Sequence, residues 1–237
     1  MRPDGRQPDQ LRPVTLETGV SKFAEGSCLI RQGDTHMLVT ATVEEGVPRF
    51  MKGKGQGWLT ADYAMLPRSG RDRNERGTMK PNGRSMEISR LIGRCLRTAV
   101  NLDALGERTI FVDCDAIQAD GGTRCASITA GYVAVAQAVH WMNSQRMLRK
   151  DPLNEPVAAV SVGVYRNQPV LDLNYAEDST AQTDMNIVLT ESGKFIEIQG
   201  TAEEDPFSFQ TMLDMIKIAK KGIDELVLLQ KEAIGQL

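Results

Sequence analysis

One stretch restricts the fold more than any other: RTIFVDCDAIQADGGTRCASITAGYVAVAQAVHWM, residues 108–142. Ile110, Val112, Cys114 and Ala116 alternate with residues that include Asp113 and Asp115, the period of two that marks a half-buried strand. The residues after Ser127 are rich in alanine and other apolar types without that period, and they predict a buried helix. Gly121 and Gly122 therefore stand at a strand-to-helix turn, where backbone amides are unpaired and the helix dipole is positive. Glycine lets a backbone approach an anion closely, and Thr123 and Arg124 add a hydroxyl and a two-pronged donor. A plain turn with an exposed arginine explains the same residues, and on this stretch alone the two readings stay open.

The rest of the chain reads as hairpins followed by helices, twice over. CLIRQGDTHMLVTATVE predicts two strands around a turn at residues 32–34, and WLTADYAML predicts a further short strand. PRSGRDRNERGTMKPNGR, residues 67–84, is polar and basic and predicts a long exposed loop, of a length usually functional or disordered. SMEISRLIGRCLRTAV then spaces Ile88, Leu91, Ile92, Cys95, Leu96 and Ala99 as one helical face, leaving Arg90, Arg94 and Arg97 as a solvated basic face. In the second half, VAAVSVGVYRNQPVLDLNY predicts a hairpin turning at residues 166–168, and MNIVLTESGKFIEIQGTAEE another turning at Ser192 and Gly193. AEDSTAQTD between them reads as a polar link. From Phe207 onward the chain is expected to be helical, with a possible break at Gly222. LIRQGDTHMLVTATVEE and IVLTESGKFIEIQGTAEE echo each other, a weak sign of duplication. Hairpins followed by helices predict an α+β chain with mixed sheets, not a doubly wound one.

Composition matters here for what it excludes. The net charge is −3, so any attraction to nucleic acid must come from local basic patches. Cys28, Cys95, Cys114 and Cys125 lack paired spacing, which argues against zinc and for reduced core thiols in a cytoplasmic protein. His36 and His140 lie in apolar runs and are expected to be packed. No signal-peptide core and no run of 18 apolar residues occurs, so a soluble protein is expected.

Three constellations could carry chemistry. The first is the Gly122, Thr123 and Arg124 turn. The second is NGRSMEI, with Arg84 in a glycine-containing loop at a helix start. The third is EDSTAQTDMN, where Asp178 and Asp184 stand six residues apart beside the core, suited to a magnesium ion that keeps most of its waters. Turn and capping roles for the two aspartates are the alternative. Walker, GxGxxG, GxSxG and HExxH patterns are absent, and GKGQG at 53–57 lacks the strand and helix of a dinucleotide site. Two anion sites and an acidic pair without an obvious nucleophile fit a reaction whose nucleophile is an anion from solution.

MRPDGRQPDQLRPV, GSCLIRQGDT, EEGVPRFMKGKGQGWLTADYAMLPRS, GRSMEISRLIGR, DCDAIQADGGTRCASITA, AAVSVGV, DLNYAEDSTAQTDMN and IEIQGTAEEDPF resemble the RNase PH family over nearly the whole chain. The resemblance implies one RNase PH domain over residues 1–237, pseudo-duplicated, with halves meeting near 145–155, of a kind that assembles as a homohexamer, a trimer of dimers. It implies phosphorolysis: inorganic phosphate is the co-substrate that attacks the last phosphodiester of tRNA and other RNA 3′ ends, releasing nucleoside diphosphates, with nucleotide addition in reverse. Arg84, Gly122, Thr123 and Arg124 would hold the phosphate, with Ser127 as a further donor. Asp178 and Asp184 would bind Mg2+ and help protonate the departing 3′-oxygen. Arg68, Arg73 and Arg76 match arginines used for subunit contact or tRNA binding. Related multidomain phosphorolytic nucleases carry lysine two positions after the second aspartate; here that position is Asn186, which leaves the metal shell open. A catalytically silent ring subunit would lack the arginines or the acidic pair, and a hydrolytic nuclease would have little use for two anion sites.

Overall fold

A computed structural model describes residues 2–75, 83–203 and 205–235 of the chain. The first half builds a five-stranded sheet from β1 (Val14–Thr18), β2 (Gly26–Gln32), β3 (Thr35–Glu45), β4 (Trp58–Met65) and β5 (Arg108–Gln118), in the order β1-β2-β3-β5-β4. Only β4 and β5 run parallel; the chain passes between them through α1 (Gly83–Thr98) and the single-turn α2 (Leu102–Leu105). The second half builds a four-stranded sheet from β6 (Val157–Tyr165), β7 (Gln168–Leu171), β8 (Thr183–Thr190) and β9 (Phe195–Ala202), antiparallel throughout, in the order β7-β6-β8-β9. The first sheet is thus mixed and the second is not.

Helix α3 (Thr123–Ser144) explains the arrangement. Residues 125–139 are all buried, polar Ser127, Thr129 and Gln137 included. An element apolar on every side has to be covered on every side. It packs on β2 and β3 of the first sheet, on β6 of the second, and on α1 and α5 (Phe209–Ile234). All nine residues of β6 are buried as well: Val157 and Ala159 join the core around α3, and Ala158, Val160, Val162 and Val164 join the core beneath α5. Burial of β6 on both faces removes the alternation of a half-solvated strand.

Several expectations hold and several need correcting. Ile110, Val112, Cys114 and Ala116 are buried on β5, as are Ile88, Leu91, Ile92, Cys95 and Leu96 on α1 and Ala99 just beyond its end. The second-half hairpin turns at Arg166 and Asn167, with φ of 50° and 61°, a primed turn that suits the strand twist. The four cysteines are free and buried; burial pushes Cys28, Cys95 and Cys125 up to about 12, so they remain inert thiols. His140 is not packed but exposed, and His36 is half-buried. The polar link contains a helical turn, α4 (Tyr175–Asp178), closed by a capping box between Asn174 and Glu177. Helix α5 runs unbroken through Gly222, where a Cβ would lie 2.9 Å from the Leu171 side chain: the glycine serves packing, not a break. Arg97 leaves the solvated face of α1, stacks 4.7 Å from the Trp58 ring centroid and donates to the Leu59 carbonyl. Arg94 pairs with Glu197 on β9.

At Gly26 the backbone of β2 lies close against α3. A Cβ there would stand 1.9 Å from the Ala134 carbonyl oxygen and 2.8 Å from the Ala138 nitrogen, both backbone atoms that cannot rotate away. Gly26→Ala is therefore expected to cost about 3 kcal/mol or more, the upper range of overpacking penalties. Urea unfolding followed by circular dichroism measures it.

Candidate active site

The turn between β5 and α3 sits where the two halves meet. Gly121 and Gly122 have φ of 79° and 71°, left-handed values that glycine adopts without strain. A Cβ on Gly121 would also collide with the second half, 2.6 Å from the Leu173 carbonyl oxygen. Helix α3 starts from Gly122 with no side-chain cap, so its first-turn amides receive no side-chain oxygen from the cap position. The Thr123 hydroxyl lies 3.0 Å from the phenol of Tyr63, which β4 presents from its buried face. Arg124 donates to Gln199 Oε1 at 3.0 Å and stands 3.7 Å from Glu87, while Gln199 Nε2 donates to Glu87. Ser127 departs from expectation: it is fully buried and its hydroxyl donates to the Thr123 carbonyl at 2.8 Å. That bond closes a helical turn and leaves the hydroxyl unavailable to an anion.

Arg84 lies in the first turn of α1, not in the preceding loop, because the helix begins at Gly83. Its charge, like that of Arg124, acts on both Tyr63 and Asp178. Burial pushes the Tyr63 phenol up, against its hydrogen bond to Thr123 and the pull of the two arginines. β4, α1 and α3 thus bring one phenol and two guanidinium groups together.

The second half supplies the acids. Asp178 ends α4, whose capping box fixes it, and Asp184 lies on β8 opposite Gly163 of β6 and Thr201 of β9. The surrounding protein and the neighbouring Asp184 carboxylate push Asp178 up, while Arg84 and Arg124 pull it back. Two mutually repelling carboxylates with open water access are the donor set a magnesium ion takes. No group of three or more ligating residues occurs among the described residues, so any cation here would rely on this pair and on water. Asn186 is turned away: its side-chain oxygen accepts from Cys125 Sγ.

No hydrogen bond or ion pair joins Arg68 or Arg73 to this cluster among the described residues. Arg68 and Arg73 are exposed, and neither makes an ion pair among the described residues. Arg76 lies outside the described residues, as does Lys80. The described part of the loop is held in turns by Asn74 and by buried Ser69, whose carbonyl accepts from Ala119 beside the glycine turn. Arg71 stacks 5.5 Å from the Tyr175 ring, joining the loop to α4. Sequence reasoning missed Tyr63, Glu87 and Gln199. The signal for Tyr63 was its place in the alternation Leu59, Ala61, Tyr63, where a hydroxyl ends an otherwise apolar face. Glu87 and Gln199 gave no signal, since a hydrogen bond across more than a hundred residues leaves no local trace.

A carboxylate pushed up destabilises the fold once ionised. The folded chain then binds the proton more tightly than the unfolded one, so stability falls as pH rises from 3.8 through the higher folded value. Asp178→Asn is therefore expected to raise the melting temperature at neutral pH by a few degrees at most, and to lose that advantage below about pH 4. Thermal scans of both proteins from pH 3.5 to 7.5 check this.

Comparison with known proteins places these features in a group. The RNase PH family model, 3′ exoribonuclease family, domain 1, matches residues 10–139, and the model for domain 2 matches residues 155–222. A ribonuclease PH of Methylobacterium nodulans is 54% identical over 237 residues, spanning 99% of this chain and 100% of that protein. Among solved structures, rice Rrp46 superposes with a TM-score of 0.80 at 19% identity, over 98% of this chain and 100% of its own. A chain of the Archaeoglobus fulgidus exosome with RNA bound to the active site gives 0.79 at 23% identity, over 95% and 91%. At such identities the two structures speak for the fold alone.

Proposed function

The chain belongs to the RNase PH family of 3′ exoribonucleases, and from that premise we infer that it is a phosphorolytic nuclease that trims tRNA 3′ ends with inorganic phosphate as co-substrate. The observation that supports the residue assignment is that Arg84 and Arg124, from the first half, lie within electrostatic reach of Asp178 in the second.

The Gly122, Thr123 and Arg124 turn, with Arg84, holds the attacking phosphate. An RNA phosphodiester repels a doubly charged nucleophile, and two guanidinium groups remove most of that repulsion while aligning the attacking oxygen. Phosphoryl transfer needs little covalent help from the protein, so positioning and charge carry the catalysis. Tyr63 and Gln199 orient Thr123 and Arg124. Asp178 and Asp184 suit Mg2+, which when bound supplies charge neutralisation at the reacting phosphate. Asp178, pushed up by burial and by the neighbouring Asp184 carboxylate, is the group we assign to deliver a proton to the departing 3′-oxygen. Release of a nucleoside diphosphate completes the cycle, and the reverse reaction extends the RNA. The family resemblance implies a homohexamer, which is the assembly we infer here, with Arg68, Arg73 and Arg76 assigned to subunit or tRNA contact.

A tRNA carrying a short 3′ tail, incubated with the protein and magnesium, should release nucleoside diphosphates only when phosphate is present. Monophosphates without phosphate would mean hydrolysis, and bound but uncut RNA would mean a silent subunit. In the same assay Arg124→Ala is expected to raise the KM for phosphate on the order of a hundredfold, about 2.7 kcal/mol, with the KM for RNA little changed. Asp184→Asn should abolish turnover and retain tRNA binding by filter assay; surviving magnesium-dependent turnover would remove Asp184 from the site.

A further inference from the structure

The first twelve residues hold three arginines, and two of them are sunk in the protein as members of one ion network. Arg12 is 5% exposed and Asp172 is 1% exposed; Arg12 donates from Nη2 and Nε to both Asp172 oxygens, at 2.7 and 3.1 Å, and from its backbone N–H at 2.8 Å. Arg2 is paired in the same forked way with Glu177, at 2.7 Å on each oxygen, and also donates to the Asp172 carbonyl. Arg6 spans the two acids at 3.5 and 3.4 Å. Buried ion pairs give little net stability relative to packed apolar residues, so their retention asks for a geometric reason.

The geometry supplies one on each side. Arg12 Nη1 donates to the Asp120 carbonyl at 2.7 Å, and Nη2 reaches the Gly121 carbonyl at 3.4 Å. Thr35, fully buried, donates its hydroxyl to the same Gly121 carbonyl at 2.6 Å and accepts from the Asp120 N–H. In a trans peptide the carbonyl and the following N–H point in opposite directions. Drawing the carbonyls of residues 120 and 121 toward Arg12 therefore aims the N–H groups of Gly121 and Gly122 the other way. Gly122 sits directly over this guanidinium, since a Cβ there would lie 3.2 Å from Nη2. On the other side, Arg2 grips Glu177, the residue before Asp178, in the same capping box that orders α4.

We propose that Arg12 and Arg2 are positioning residues: Arg12, with Thr35, sets the orientation of the phosphate turn, and Arg2 sets the helical turn that presents Asp178. The inference rests on the site assignment made above. The opening segment of the chain then tunes both arms of the site without touching the reactants. The two arms act on different kinetic constants. Arg12 and Thr35 govern phosphate binding, while Arg2 governs the acid side and hence the rate of the bound complex.

Thr35→Val, Arg12→Lys and Arg2→Lys test this in the full chain, by initial rates on the tailed tRNA across phosphate concentrations. All assays are run well below each variant's melting temperature. Thr35→Val and Arg12→Lys are expected to raise the KM for phosphate about tenfold with the KM for RNA unchanged, and Arg2→Lys to lower kcat about tenfold with the KM for phosphate unchanged, the scale found when a group that orients a ligating residue is removed. Arg12→Lys keeps the charge, so a shift there reports geometry. A purely structural role would lower melting temperature and leave both constants at the parent's values, which overturns the proposal. Should Arg12→Lys fail to fold, Thr35→Val decides that arm alone. An unshifted phosphate KM in Thr35→Val, beside a raised one in Arg124→Ala, overturns the positioning role and spares the site. An unshifted phosphate KM in Arg124→Ala overturns both.

Discussion

Helix α3 presents apolar or small side chains around its whole circumference, and no single sheet can cover it. The first sheet takes one side through β2 and β3, and β6 of the second sheet takes another, so the halves cannot fold as independent layers without exposing the helix. Its mean hydropathy does not vary with direction, so the sequence leaves no preferred solvent face. The consequence for function is positional. The N-terminal end of a helix buried between two halves necessarily opens where those halves meet, and the glycine turn, with its unpaired amides, stands at that seam.

The seam is also where the buried charges lie. Burial alone would raise Asp172, yet the charge and hydrogen bonds of Arg12 and the charge of Arg6 outweigh it and hold the carboxyl below its ordinary value. Gln32 Nε2 adds a further donor to the same carboxylate. Each partner is thus charged and held from several directions, the condition under which a buried pair keeps a defined geometry and does not simply neutralise. The carboxylates come from the second half and the arginines from the start of the first. Hydrogen bonds that fix the order of the seam therefore also fix the glycine turn and α4 against each other.

Much of this could be read from the residues and some could not, for physical reasons. The alternation on β5, the apolar face of α1 and the turn at Ser192 and Gly193 are local patterns, and each appears where the sequence places it. Arg84, Arg124, Asp178 and Asp184 were singled out by resemblance and by their glycine-rich or polar settings, and the charges of the other three all act on Asp178. The failures share a cause. Ser127, Arg97 and Gly222 were assigned roles from neighbours in sequence, yet a helical carbonyl, an indole ring and the Leu171 side chain decide what they do. His140 lies in an apolar run on a helix whose last turns reach solvent, so the run predicted burial where the helix was already emerging. The network of Arg2, Arg6 and Arg12 with Asp172 and Glu177 joins residues about 160 to 175 positions apart, and a net charge or a motif scan sees in it only an ordinary basic terminus.

The division of charge between the halves gives the site its logic. The first half contributes the cationic groups, Arg84 and Arg124, together with the amides of the glycine turn; the second contributes the carboxylates, Asp178 and Asp184. Within either half alone like charges are gathered, and in the second the Asp184 carboxylate adds to burial in pushing Asp178 up. Docking the halves offsets each set by the other, and on the assignment proposed above the remaining imbalance is what the site offers a ligand: donors for an anion from the first half and a carboxylate pair for a cation from the second. Phosphate, magnesium and an RNA end carry the complementary charges. A site divided in this way is incomplete until the seam has closed, so the interactions that close it, with Arg12 and Asp172 at their centre, bear on the proposed chemistry as well as on folding.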